Sequence, residues 1–149
     1  DRAGHVHNRL PEEFKVSYRH VQRQQDEWFL AATLLLEEGD VVGSQQQITE
    51  LLARRNSSQP IGQPSCGSVF RNPAGDYAAR LIETAGLKGQ MIGGAQVSEK
   101  HANFIINTGT ASALDIETLI GTVKQRVKET SGIELIAEVH VVGEPEEKR

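Results

Sequence analysis

The run Pro64-Ser65-Cys66-Gly67-Ser68-Val69-Phe70-Arg71-Asn72-Pro73 gathers a thiol, two hydroxyls, an amide and a guanidinium around one glycine and between two prolines. Short polar side chains on such a segment approach a ligand closely, because Gly67 lets the backbone come near it. A serine-rich turn has the same composition, so residue types alone leave both readings open. Neither Gly-x-Ser-x-Gly nor a defensible Ser-His-Asp arrangement accompanies it. Gly86-Leu87-Lys88-Gly89 matches the GxxG loop with which KH modules clamp a nucleic-acid backbone, although Gly86 is equally well read as a helix stop. His5-Val6-His7 offers two imidazoles but no nearby thiolate, and no metal site is expected there. Neither a P-loop nor G-x-G-x-x-G is present.

These residues need elements to hold them. Phe14, Val16 and Tyr18 alternate with Lys15, Ser17 and Arg19, which predicts a strand, and the apolar stretch Trp28 to Leu36 is long enough to pair with it. After Gly39-Asp40, Ser44 and Gln47 form an S-x-x-Q capping pattern ahead of Ile48, Leu51 and Leu52, predicting a helix that ends near Arg54 and Arg55. Asn56 to Pro64 is polar, carries two prolines and reads as a linker and domain boundary. Ala78, Leu81, Ile82 and Ala85 share one face of a helix from about Asp76, which Gly86 stops. Met91 to Val97 and Asn103 to Asn107 read as strands.

Ser112 and Asp115 cap a helix in which Ile116, Leu119, Ile120, Val123 and Val127 form one stripe, and Gly132 ends it. Ile133 to Val142 then alternates as a closing strand, with Leu135, Ala137, Val139 and Val141 on one face and Glu134, Glu138 and His140 on the other. The tail Glu144 to Arg149 reads as solvated charge. The fold class is α+β.

The 149 residues suit one domain, or one domain with a remnant of another. With 16 Lys and Arg against 20 Asp and Glu, net charge −4, no broad cationic field is available to hold nucleic-acid phosphates. The single Cys66 cannot form an internal disulfide or a four-cysteine zinc site, which fits a reducing, cytoplasmic setting. No apolar run approaches the roughly 20 residues that cross a bilayer. The opening Asp1-Arg2-Ala3-Gly4-His5 has no start Met and no signal-peptide core, so the chain reads as an excised or processed piece.

The Pro64 to Pro73 run resembles the signature loop of the UDP-N-acetylenolpyruvoylglucosamine reductases, also called UDP-N-acetylmuramate dehydrogenases. Three further stretches agree in order and spacing: Ser17-Tyr18-Arg19-His20, then Leu81-Ile82-Glu83 through Gly86-Leu87-Lys88-Gly89 to Ile92-Gly93-Gly94-Ala95, and finally Ala137 to Gly143. The resemblance implies an FAD- and NADPH-dependent reduction in peptidoglycan precursor synthesis. UDP-N-acetylglucosamine enolpyruvate would be the substrate and UDP-N-acetylmuramate the product, with no nucleic-acid or membrane partner.

It also implies a division of the chain. Residues 1–45 would be the end of an FAD-binding domain, 46–58 a helix and linker, and 59–149 a small mixed helix and sheet domain that binds substrate. The chain is then expected to be inactive without the upstream FAD-binding domain.

By the same resemblance Ser68 would donate a proton to the enolpyruvyl carbon next to the one that accepts hydride. Arg19 and Glu138 would stabilise the charge that develops on the substrate carboxylate, Arg19 through a two-point pair. Glu138 beside a carboxylate would need a proton or a paired cation. Asn72 and Tyr18 would contact the substrate. Two other functions remain open: a UDP-sugar-binding module without catalysis, and a KH-like nucleic-acid module built on Gly86 to Gly89.

Overall fold

Helix α3, Ala113–Ser131, is capped as its sequence predicts in the computed structural model, which describes residues 1–143. The Ser112 hydroxyl accepts the Asp115 N–H at 3.1 Å, and the Asp115 carboxylate accepts the Ser112 N–H at 2.9 Å. The bond from the Ser112 N–H, more than any other contact, holds the Asp115 carboxyl below its usual range; the Ser112 hydroxyl and the Gly94 N–H add to the effect. At the other end Gly132 adopts φ 72° and its N–H reaches the Lys128 carbonyl, a left-handed stop that a residue with a Cβ takes up only with strain. Leu119, Val123 and Val127 of the predicted stripe are buried.

Against that stripe packs α2, Ala78–Thr84, with Ala78, Leu81 and Ile82 buried. It begins two residues after Asp76, whose carboxylate is paired with Arg80 and accepts the Tyr77 N–H, and it is followed by Gly86 at φ 71°.

Four antiparallel strands complete the core: β3 (Ser65–Ser68), β4 (Met91–Ile92), β5 (Ala95–Val97) and β6 (Phe104–Asn107), in the order β3-β6-β5-β4. The single strand expected over Met91 to Val97 is therefore a hairpin, bent at Gly93-Gly94. Close packing requires glycine at the bend. A Cβ on Gly94 would lie 2.3 Å from the Ala111 nitrogen, and one on Gly93 would lie 2.4 Å from the Asp115 carboxyl.

The closing strand expected over Ile133 to Val142 is not formed. One isolated bridge, Phe70 with Ala137, is flanked by bonds from Arg71 N–H to Ile136 O and from Glu138 N–H to Val69 O. On the Ile133 side pairing stops because Pro73, close beyond Arg71, has no N–H to give; on the Val142 side the Val69 N–H is already taken by the Asn103 carbonyl. The alternation still decides burial in part: Leu135 is buried, Ala137 and Val139 are half-buried, and Ile136 and His140 are exposed, but Val141 is exposed as well. Glu144 to Arg149 lie outside the described residues.

Helix α1, Val41–Ser58, begins three residues before the expected cap. Ser44 thus sits inside it and the S-x-x-Q box is not made; Asp40, of a type favoured at helix starts, precedes the first turn. Its last turn takes in part of the expected linker, because Ser57 and Ser58 turn their hydroxyls back onto the Arg54 carbonyl, each at 2.9 Å. It has no buried residue.

The chain divides into a unit Asp1–Asp40 and a second unit from Val41 onward. In the first, β1 (Lys15–Ser17) pairs with β2 (His20–Gln22), Val16 opposite Val21. The expected pairing of the Phe14 strand with Trp28 to Leu36 is replaced by this local hairpin, whose two-residue turn costs little closure entropy. Trp28 to Leu36 has no regular structure. Ion pairs from Arg9 to Glu13 and Glu27, and a Phe14 to Phe29 ring contact of 5.3 Å, hold this unit.

Candidate functional site

Ser68 ends β3, and an irregular register sets its position. Ser65 lies opposite Ile106 but Ser68 lies opposite Phe104, so three steps on β3 answer two on β6. The extra residue forms a bulge in which Gly67 adopts φ 80°. A bulge shifts the side chains beyond it by one place relative to the pleat, and bulges are frequent beside active sites. The segment predicted as a polar loop is therefore partly a strand, with Ser68 half-buried at its end.

Beyond Ser68 the chain is tied down by Asn103, which is 4% exposed. The Asn103 carbonyl accepts the Val69 N–H at 2.8 Å, its side-chain oxygen accepts the Phe70 N–H at 3.0 Å, and its Nδ2 donates to the Phe70 carbonyl at 2.8 Å. Sequence reasoning missed this residue, placing it at a strand start. The signal was an amide inside the apolar run Ala102 to Ile106, where a buried polar side chain must find partners.

Its neighbour His101 reinforces the arrangement: the Asn103 N–H donates to His101 Nδ1 at 3.3 Å, and the ring meets Phe104 edge-on at 4.8 Å between centroids. Burial, with a smaller contribution from the Lys88 cation, pushes the His101 pKa below its ordinary value. The neutral ring is the form that keeps Nδ1 as an acceptor.

Glu138 is brought to the same place through its main chain. Its N–H donates to the Val69 carbonyl at 2.8 Å, one residue from Ser68, and its side chain is half-buried. Asn72 is exposed, and its Oδ1 accepts the Ala78 N–H at 3.0 Å at the start of α2. Tyr18 and Arg19 belong to the first unit. They form the turn of the β1 and β2 hairpin rather than continuing a strand, with Arg19 at φ 56° and its guanidinium carbon 5.9 Å from the Tyr18 ring centroid. That backbone conformation is uncommon for a residue with a Cβ, and such outliers gather at ligand-binding positions.

A cleft of about 410 Å³ opens beside Ser68. Its walls include Arg55, Gln59, Gln63, Ser65 and Phe104 and, among the described residues, no carboxylate. The Gly86 to Gly89 loop is not arranged to hold a phosphate backbone: the Gly89 N–H is bonded to the Val97 carbonyl and Lys88 is paired with Glu83 at 2.9 Å. Among the described residues there is no cluster of three or more metal-ligating side chains, and no helix is long and apolar enough to cross a membrane.

The amino end of α3 offers no cradle for the diphosphate of a flavin dinucleotide. The place where a diphosphate would find free N–H groups is filled by the Ser112 hydroxyl and the Asp115 carboxylate, which repels an anion.

Residues 59–142 match the family model described as UDP-N-acetylenolpyruvoylglucosamine reductase, C-terminal domain. The chain belongs to this family. Among curated proteins it is 59% identical over 144 residues to the UDP-N-acetylenolpyruvoylglucosamine reductase of Alkalilimnicola ehrlichii, covering 97% of this chain and 48% of the relative. To that of Methylococcus capsulatus it is 58% identical, covering 97% and 47%. The chain thus spans about half the length of these relatives. A solved structure, UDP-N-acetylenolpyruvylglucosamine reductase from Thermus caldophilus, is similar with a TM-score of 0.55 at 37% identity, over 66% of this chain and 35% of that one. The α+β architecture of the second unit accords with the family.

Proposed function

We propose that this chain is the substrate-side portion of an NADPH- and FAD-dependent reductase that converts UDP-N-acetylglucosamine enolpyruvate to UDP-N-acetylmuramate in peptidoglycan precursor synthesis. A flavin-binding region ahead of it would hold the cofactor. The observation that carries the reading is the placement of Ser68: a hydroxyl fixed at a bulge, beside a cleft with no carboxylate among the described residues, with the Glu138 segment bonded one residue away.

Reduction of the enolpyruvyl double bond adds hydride to one carbon and a proton to its neighbour. In this reading Ser68 Oγ gives that proton, and the alkoxide left behind recovers one from solvent. A hydroxyl is a weak acid, so the negative charge building on the substrate carboxylate has to be stabilised before transfer. Arg19 serves this as a charge-assisted donor, its guanidinium carbon 5.9 Å from the Tyr18 ring centroid. Glu138, carrying a proton or paired with a cation, would share in stabilising the same charge. Asn72 contributes to substrate binding, although its carbonyl oxygen already caps α2.

The test is Ser68→Ala in a chimera that joins this chain to the remaining part of the Alkalilimnicola reductase. Flavin reduction by NADPH should proceed at its original rate, whereas reoxidation by the enolpyruvyl substrate should slow by at least about 100-fold, as expected for loss of a positioned proton donor. Stopped-flow absorbance separates the two half-reactions. Unchanged reoxidation removes Ser68 from catalysis, and a chimera that binds substrate but never reoxidises even with Ser68 present favours a binding module instead.

A further inference from the structure

The bulge in β3 leaves Phe70 one place out of step with β6, and its peptide groups need other partners. On one side the segment 69–71 is bonded to 136–138, which uses the Val69 carbonyl and the Arg71 N–H. The Phe70 N–H and carbonyl point to the opposite side, where the main chain has already turned toward β5: the Phe104 N–H donates to the His101 carbonyl at 3.0 Å, and the Phe104 carbonyl accepts the Ser98 N–H at 2.8 Å. The Asn103 carboxamide takes the place of a further strand residue. It accepts the Phe70 N–H at 3.0 Å and donates to the Phe70 carbonyl at 2.8 Å.

A carboxamide is built like a peptide, with donor and acceptor in one plane, so it can answer both groups of one residue. Burying it costs free energy that the two bonds must offset, and an apolar side chain would pack here without that cost. What the amide adds is a fixed place for Phe70, and so for Ser68 two residues before it. On the other side of Ser68 stands Gly67 at φ 80°, and a glycine's conformational freedom fixes the direction of its neighbour poorly. The fixed point is at Asn103, whose carbonyl also accepts the Val69 N–H at 2.8 Å.

We propose that Asn103 is a positioning residue for Ser68: it holds the Val69-Phe70 segment so that the hydroxyl at the cleft wall keeps the aim that proton transfer needs. The inference rests on the function proposed above and adds to it the group that fixes the proton donor. Asn103 is 4% exposed and acts through the main chain.

The same chimera tests it, through stopped-flow reoxidation of the reduced flavin by the enolpyruvyl substrate. Asn103→Ala should lower the limiting rate of reoxidation by at least about 10-fold, since about 1 Å of misplacement can cost about 100-fold. Flavin reduction by NADPH should keep its rate, and the substrate concentration at half-maximal reoxidation should stay within about 2-fold, because the donor's aim enters the reaction step and not binding. Added to Ser68→Ala, the change should slow reoxidation by less than about 2-fold more, since two residues that act through one donor are not additive. Leu119→Ala, which opens the core on α3, should leave the reoxidation rate of the folded protein unchanged.

Normal reoxidation in Asn103→Ala overturns the inference and leaves the proposed function standing. So does a slowing that multiplies in full with that of Ser68→Ala, or an equal slowing in Leu119→Ala, either of which gives Asn103 a structural role. A chimera of native sequence that the substrate does not reoxidise, or a Ser68→Ala chimera that it reoxidises normally, takes down the proposed role of Ser68 and the inference with it. Amide spectra and urea midpoints of the whole 149-residue chain report folding. If Asn103→Ala unfolds, Asn103→Ser, whose shorter side chain cannot meet both Phe70 groups, takes its place with the same expected results, and loss of the fold in both overturns the inference.

Discussion

The two units differ in what holds them. The unit from Val41 onward closes a core of apolar residues from two helices and a sheet, with Val69, Ile82, Leu119 and Val127 wholly buried. In the unit Asp1–Asp40 no residue is buried, and Phe29, Leu30 and Leu35 lie open to solvent. Its order comes from a two-residue hairpin, one aromatic pair and surface ion pairs, each worth little singly. Ser68 and Glu138 stand on the packed unit, whereas Tyr18 and Arg19 stand on the other.

The largest effect should come from a matched pair of truncations. Leu119→Ala removes a fully buried side chain and should cost about 2–5 kcal/mol in urea unfolding, while Leu35→Ala, at a fully exposed position, should stay within about 0.5 kcal/mol. Amide exchange in Ile116 to Val127 should be far slower than in Phe14 to Leu36. Equal losses, or better protection in the first unit, would break the comparison.

Asn103→Ala sharpens it within the packed unit. The Phe70 N–H and carbonyl would lose their side-chain partner in a buried place, for about 1–3 kcal/mol, and the Phe70 amide should exchange faster while α3 keeps its protection. A uniform loss of protection would mean that Asn103 supports the core generally rather than the segment after Ser68.

The smallest effect is one of pH. Because the His101 pKa is lowered by burial, the unfolded chain binds the proton more readily; stability should be full above the ordinary value of 6.5 and fall as pH drops from 6.5 through the folded-state pKa. His101→Gln should flatten that part of the profile of thermal midpoints between about pH 8 and pH 5. Persistence of the same slope in the variant would assign it to other groups.

Much of the packed unit is legible in the sequence. The Ser112 to Asp115 box, the stripe ending at Val127 and the Gly132 stop are local signals, and local hydrogen bonds satisfy them. Ile133 to Val142 was harder, since alternation reports which side is buried but not whether a partner strand exists, and here the partner is cut short by Pro73 on one side and by the bond from its Val69 N–H to the Asn103 carbonyl on the other. Ser44 failed as a cap because its helix starts earlier and nothing apolar anchors the register of α1. The site was legible as a cluster of residue types around Ser68. Its support was not, because Asn103 reaches Phe70 across 33 positions of chain and no local pattern encodes that meeting.

The bulge at Gly67 has a second consequence. β3 is one of the two outer strands of its sheet, and an outer strand presents a row of backbone donors and acceptors on which a strand from another molecule can add. An inserted residue breaks the even spacing of that row, so an incoming strand cannot stay in step along its length. The same irregularity that sets Ser68 beside the cleft thus guards the β3 edge of the sheet against self-association.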